Sequence, residues 1–205
     1  MFISIEGIEG VGKTTLINGL KKHFADQDKE VVLCREPGST ILSEKIRAIL
    51  LDPNLTGSIC PLSELFLFYA SRFQNAAENI LPALENGTVV ISDRWSDSTA
   101  AYQGYARGMD VNSILWLNNK FNIAQPDITF WLDAPVEVGL SRALSRSKAD
   151  RFEQEKYTFF EKVRTGFSEL QKLEPARIKR IDATQSQDQV LTQAISILQS
   201  FEKAQ

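Results

Sequence analysis

Residues 6–15 read EGIEGVGKTT and contain the strongest chemical signal in the chain. Gly7-Ile8-Glu9-Gly10-Val11-Gly12-Lys13-Thr14 fits the pattern G-x-x-x-x-G-K-[ST]. Glycines let the backbone curl so that successive N–H groups converge on phosphate oxygens, and the helix that follows adds partial positive charge. Lys13 is placed to reach β- and γ-phosphates, and the Thr14 hydroxyl to ligate Mg²⁺. One residue does not fit an anion cradle. Glu9 puts a carboxylate in the middle of it.

A second constellation is VVISDRW, residues 89–95, an apolar strand ending in Asp93-Arg94. A carboxylate at the end of a strand beside a phosphate loop suits the Mg²⁺ shell. Asp133, at the end of ITFWLD, competes on pattern alone. Asp93 is favoured because an arginine follows it. CREPGST supplies another arginine, Arg35, at a turn built on Pro37-Gly38. The planar fork of arginine matches phosphate oxygens. A GTPase would need N-K-x-D and D-x-x-G. Asn119-Lys120-Phe121-Asn122 lacks the final aspartate, and no aspartate has a glycine three residues later.

The elements that must position these groups are legible as an alternation. Phe2–Ile5, Val31–Cys34, Thr88–Ser92, Ile128–Leu132 and Ile178–Ile181 read as five strands, rich in β-branched residues. Between them lie amphipathic stripes: Leu16, Ile17, Leu20 and Phe24; Phe160, Val163, Phe167 and Leu170; and Val190, Ala194, Ile195, Leu198 and Phe201. Such alternation predicts an α/β fold, a parallel sheet with helices on both faces, whose ligands bind beyond the carboxyl ends of the strands. The polar run from Ser145 to Arg151 has no apolar period and reads as a flap. The 205 residues suit one domain.

Net charge is −3 and the isoelectric point about 5.4, so there is no basic footprint for nucleic acid. Cys34 and Cys60 suggest neither a disulfide framework nor a metal site, and His23, the only histidine, reads as structural. The N-terminus lacks signal-peptide character and no 18-residue apolar run follows, so a cytoplasmic protein without membrane partners is expected.

Taken together, EGIEGVGKTT, REPGST, LFYASRFQ, SDRW, DSTAAYQG, PDITFWLD, DRFEQE and IDATQ resemble the thymidylate kinases, in the family's order and over nearly the whole chain. The resemblance implies the P-loop nucleoside-monophosphate-kinase fold with a short lid at residues 142–153. It implies transfer of phosphate from ATP, with Mg²⁺, to dTMP, by a homodimer. Residues Gly7 to Thr15 and Arg142 would hold ATP, with the IDATQ loop near adenine; Thr14 and Asp93 would hold the metal. Lys13, Arg94 and Arg146 would be catalytic. Gly10 stands where one branch of the family has a loop arginine, so the lid would supply the charge from Arg142, Arg146 or Arg151, with Arg146 at the matching position.

By the same resemblance, Glu9 would accept a hydrogen bond from the acceptor's 3′-hydroxyl. Arg35 and Arg94 would hold its phosphate, and Thr99 would lie near thymine. Tyr102 would crowd a ribose 2′-hydroxyl. Phe68 and Arg72, four apart on a helix, would stack on thymine and donate to its O4, although on pattern alone Phe68 reads first as core. Ser39 replaces a glycine of many relatives, which would stiffen that turn, and Trp95 replaces a smaller aromatic, which would reshape the pocket wall. A kinase for another nucleoside monophosphate and a non-catalytic nucleotide-binding regulator are the competing readings.

Overall fold

The computed structural model describes residues 1–144 and 150–203. Five strands, β1 (Phe2–Glu6), β2 (Val31–Arg35), β3 (Val89–Asp93), β4 (Ile128–Asp133) and β5 (Ile178–Asp182), form one parallel sheet in the order β2-β3-β1-β4-β5. Every residue of β1 and β4 is buried. Side chains alternate between the two faces of a strand, so both faces of the central sheet are covered. The five expected strands are all present, but each runs one residue further at its carboxyl end, to Glu6, Arg35, Asp93, Asp133 and Asp182. Apolar patterning stops where side chains become polar. The ladder is made by backbone groups and continues, pairing Arg35 with Asp93 and Asp133 with Asp182.

Nine helices are seen among the described residues: α1 (Lys13–Ala25), α2 (Ile41–Leu51), α3 (Pro61–Asn75), α4 (Leu81–Glu85), α5 (Ser96–Thr99), α6 (Val111–Lys120), α7 (Val136–Leu144), α8 (Tyr157–Leu173) and α9 (Gln187–Glu202). Wider π-type turns link α3 to α4 at Ala76–Ile80 and extend α5 through Ala100–Ala106. The predicted stripes are the buried faces of α1 and α8, and Val190, Ala194 and Leu198 bury α9. Ile195 and Phe201 pack at the margin of that core. A reciprocal capping box of Ser186 and Gln189 starts α9.

The strand order places β1 at the centre. The chain passes from β1 to β2 on one side and from β3 across β1 to β4 on the other. A crevice opens at such a reversal, beyond the carboxyl ends. Helix α8 presses against the π-type segment after α5; there a Cβ on Gly166 would lie 3.0 Å from the Ala101 backbone. Phe167 of α8 stacks on Trp131 at 6.2 Å and meets Tyr102 edge-on at 6.4 Å. Among the described residues no helix is long and apolar enough to cross a membrane.

Phe167 therefore ties the sheet to the segment that carries Tyr102. Phe167→Ala should lower stability by about 3–5 kcal/mol, the cost of a large cavity in a core that cannot fully collapse. Equilibrium urea unfolding reads this as a lower midpoint at unchanged slope.

Candidate active site

Beyond Glu6 the chain turns into the glycine loop, and Gly12, left-handed at φ 99°, is the N-cap of α1. Lys13 opens that helix. Its ammonium donates to the carbonyls of Ile8 at 2.9 Å and Gly7 at 3.3 Å. Burial, reinforced by the Arg94 charge, lowers its pKa to about 8.

Gly10 explains where a cation cannot be. Its φ is 75°, and a Cβ built on it would lie 1.9 Å from the carbonyl oxygen of Gly139 in α7. The reverse also holds, because a Cβ on Gly139 would lie 2.6 Å from the carbonyl of Glu9. Loop and helix thus meet backbone to backbone. No side chain fits at position 10, arginine included.

Glu9 turns away from the loop to a neighbouring group of polar side chains. Its carboxylate accepts from Arg94 Nη2 at 2.8 Å and from the Tyr102 hydroxyl at 2.9 Å. Arg94 also donates through Nη1 to the Gly7 carbonyl at 2.9 Å and to Ser98 Oγ at 3.2 Å, and its guanidinium lies 4.9 Å from the Tyr102 ring centre. Arg94 has φ 71°, a left-handed conformation that costs a side-chain-bearing residue roughly 1–2 kcal/mol. Burial drives the Tyr102 hydroxyl well above its ordinary pKa, so it stays a donor.

At the far end of the cleft lies Arg72, 1% exposed. Nε donates to Glu36 at 2.7 Å, and Nη2 donates to Thr99 Oγ1 at 2.8 Å and to the Trp95 carbonyl at 3.2 Å. Nη1 is buried and has no hydrogen-bond partner in the protein, and neither has Glu36 Oε1. Burial pushes the Glu36 carboxyl up to about 7 against the pull of Arg72. Trp95, which is fully buried, lies 5.5 Å beneath the Arg72 guanidinium and donates from its indole to the Ala124 carbonyl. It supports the pocket from within the core.

Two clefts meet at the phosphate loop. The larger, about 430 Å³, is lined by Glu9, Lys13, Thr14, Asp93 and Arg94 at one end and by Arg35, Phe68, Arg72, Thr99 and Tyr102 at the other. The smaller, about 340 Å³, is lined by loop residues, Thr15, Arg142 and the turn after β5. Arg142 donates to the Ala183 carbonyl in that turn. Gly10 and Gly12 border both clefts. Asp133 lies apart from them. It is held by Arg164 at 2.7 Å and Arg180 at 2.6 Å, a structural ion-pair cluster at the carboxyl end of β4.

One expectation changes, and two others gain structural detail. Arg151 is not a candidate lid cation: it is 4% exposed, pairs with Glu64 at 2.7 Å and donates from Nε to the Leu50 carbonyl. Ser39 sits at φ 76°, where glycine is favoured. Hydrogen bonds from its N–H to Glu44 and to its hydroxyl from the Arg35 N–H hold it there. Trp95, though buried, is among the residues that line the larger cleft. Arg146 lies outside the described residues.

Sequence reasoning missed three buried polar residues. Glu6 ends β1 and Glu36 follows β2, just beyond the apolar runs that read as strands. Gln103, which lines the larger cleft, donates its amide to Glu64 at 2.8 Å, leaving its amide oxygen as an acceptor. Its only signal was the block DSTAAYQG.

A central parallel sheet, a phosphate loop at its switch point and two clefts meeting there define a P-loop nucleoside-monophosphate kinase. The thymidylate kinase family model matches residues 5–194. A thymidylate kinase of Acinetobacter baumannii (strain AYE) is 53% identical over 198 residues, covering 97% of this chain and all of the relative. One from Acinetobacter baylyi is 50% identical over 201 residues, covering 98% and 100%. The crystal structure of thymidylate kinase from Ehrlichia chaffeensis superposes with a TM-score of 0.78 at 35% identity, over 97% of this chain and 98% of that one. The chain belongs to the thymidylate kinase family.

The contact between Gly10 and Gly139 sets the shape of the loop. Gly10→Ala should weaken nucleoside-triphosphate binding by about tenfold or more, because the loop must shift to clear the Gly139 carbonyl and small misplacements of positioning groups are costly. Fluorescence titration with a labelled triphosphate measures this directly.

Proposed function

We propose that the protein transfers the γ-phosphoryl group of ATP to the 5′-phosphate of dTMP, giving dTDP and ADP for dTTP synthesis. The observation that carries this reading is Arg72. A guanidinium with one buried, unpartnered N–H group borders a cleft that continues to the phosphate loop. Arginine offers donors only, so it suits a base with a carbonyl acceptor at position 4 and opposes cytosine, which has an amino group there.

In this reading ATP lies in the smaller cleft with Arg142 beside its adenine, and its phosphates enter the loop. The acceptor fills the larger cleft, with Phe68 against the base, Thr99 behind Arg72 and Arg35 with Arg94 at its phosphate. Glu9 keeps lone pairs for a sugar hydroxyl, and Tyr102, fixed on Glu9, crowds any substituent at C2′. Gln103 offers its amide oxygen to the N3–H of thymine.

The acceptor phosphate oxygen attacks the γ-phosphorus as the bond to the β–γ bridging oxygen breaks. The acceptor is already anionic, so no strong base is required. The difficulty is bringing two anions together, and the cations Lys13, Arg94 and Arg146 offset it. Thr14 and Asp93 present hard oxygen donors in one cavity, which fits Mg²⁺. When bound there, Mg²⁺ supplies further neutralisation of phosphate charge.

A lid over residues 142–153 excludes water as it closes. Its first part is the end of α7, and its last part is anchored through Arg151. A reducing, cytoplasmic setting suits the free thiols of Cys34 and Cys60. A second copy of the chain suits the exposed face on which Leu62, Phe66 and Phe73 of α3 adjoin Phe121, which meets Phe73 edge-on at 5.8 Å.

A steady-state panel of dTMP, dUMP, dCMP, dGMP and UMP with ATP–Mg²⁺ tests the assignment. dTMP should exceed dUMP by the modest factor of a methyl group, about 1–3 kcal/mol, and dCMP by about four orders of magnitude. Arg72→Gln, whose amide both donates and accepts, should compress the second ratio far more than the first. Wild-type enzyme that accepts dCMP as readily as dTMP would refute the reading.

Arg146→Ala isolates the lid. It should lower kcat by about 10²- to 10⁵-fold with dTMP affinity nearly unchanged, as for a cation acting on transition-state charge. A raised KM for dTMP at constant kcat would make Arg146 a binding residue, leaving Arg142 as the lid cation.

A further inference from the structure

Arg94 is held at two levels. Its guanidinium is fixed by Glu9, Gly7 and Ser98, as described above. Its backbone, at φ 71°, needs separate support, and strands β1 and β3 supply it. The Arg94 N–H donates to the Ile5 carbonyl at 3.0 Å, and the Arg94 carbonyl accepts from Ser92 Oγ at 2.7 Å. The next residue along β1 is Glu6, whose side chain is fully buried.

The Glu6 carboxylate gathers three donors. Oε1 accepts from the Trp95 N–H at 2.6 Å and from Ser4 Oγ at 2.8 Å, and Oε2 accepts from Ser98 Oγ at 2.5 Å. Two of the three lie on the turn that begins with Arg94. Ser98 is the link, because the same hydroxyl that donates to Glu6 accepts from Arg94 Nη1 at 3.2 Å. A carboxylate offers acceptor sites on both oxygens, whereas an amide has one acceptor oxygen and two donors. Glutamine at this position, with one acceptor oxygen, could not accept from both the Trp95 N–H and the Ser98 hydroxyl in this arrangement.

Glu6 does not border either cleft, so it does not touch substrate. We propose that Glu6 is a positioning residue for phosphoryl transfer: its carboxylate locks the turn 94–98 through the Trp95 N–H and the Ser98 hydroxyl, and so aims the Arg94 guanidinium at the mouth of the phosphate loop. The proposal rests on the reading of Arg94 as a catalytic cation. A carboxylate buried at the root of the strand that feeds the loop is otherwise an expensive core residue, since burial without full pairing disfavours the charge. Here full pairing is directed at one turn, and that turn carries the arginine.

A double-mutant cycle tests this. Glu6→Gln should lower kcat by between about tenfold and a hundredfold, the penalty of a misplaced positioned group, and leave KM for ATP within about twofold, since uniform binding is untouched. In an Arg94→Ala background the same substitution should change kcat by less than about twofold, because residues acting as one unit are not additive. Ser98→Ala, which removes one tie and keeps the carboxylate, is the second variant should Glu6→Gln fail to fold. It should show a smaller loss that also disappears in the Arg94→Ala background. An equal loss in both backgrounds, or no loss in the first, overturns the role of Glu6. Full activity of Arg94→Ala alone instead overturns the reading of Arg94, which separates the two failures.

Discussion

Five parallel strands ending at one edge bring Glu6, Arg35, Asp93, Asp133 and Asp182 toward a common rim, and the structure depends on pairing that charge. Like charges in a low-dielectric crevice repel strongly. Several of these strand ends are held by side chains or backbone groups around them. Asp133 takes Arg164 and Arg180, Arg35 takes Glu44, and Glu6 takes three neutral donors. Asp93, beside Lys13 and Arg94, lines the larger cleft, as does Arg35. Burial still pushes the Glu6 carboxyl up to about 7, with the nearby Asp97 adding to the effect. The rim is thus sorted into ends enclosed by their own partners and ends that border the cleft.

How much of this was legible follows from what the sequence encodes locally. The phosphate loop was visible because glycine spacing and a following helix are local facts. The strands were visible because a sheet covered on both faces must be apolar throughout. The pairing of Asp133 with Arg164 was not visible, because the two are far apart in sequence and meet only through the packing of α8. Arg151 was misjudged for the same reason. A polar, aperiodic segment looks solvated until the fold delivers Glu64, with which it forms a buried pair. Ser39 showed the converse, in that a family difference was noticed while its left-handed backbone could not be inferred from residue type.

The contact between Gly10 and Gly139 connects the loop to the helix that leads into the lid. Two glycines, 129 positions apart in the numbering, exclude side chains from one point so that backbone can touch backbone. Either residue alone would look like an ordinary flexible position. Together they leave no room for a side chain, cationic or otherwise, at position 10.

The pair of Arg72 and Glu36 carries a different consequence, one for protein evolution. A buried ion pair with an unmet donor and an unmet acceptor is a poor way to stabilise a core. Apolar residues of similar volume in such places are commonly neutral or more stable by about 1–4 kcal/mol. Selection for folding alone would be neutral toward such replacements or would favour them. Under the proposed function, discrimination between bases is what would oppose that drift at positions 36 and 72. On that reading the pocket is where the most stable sequence and the working sequence diverge.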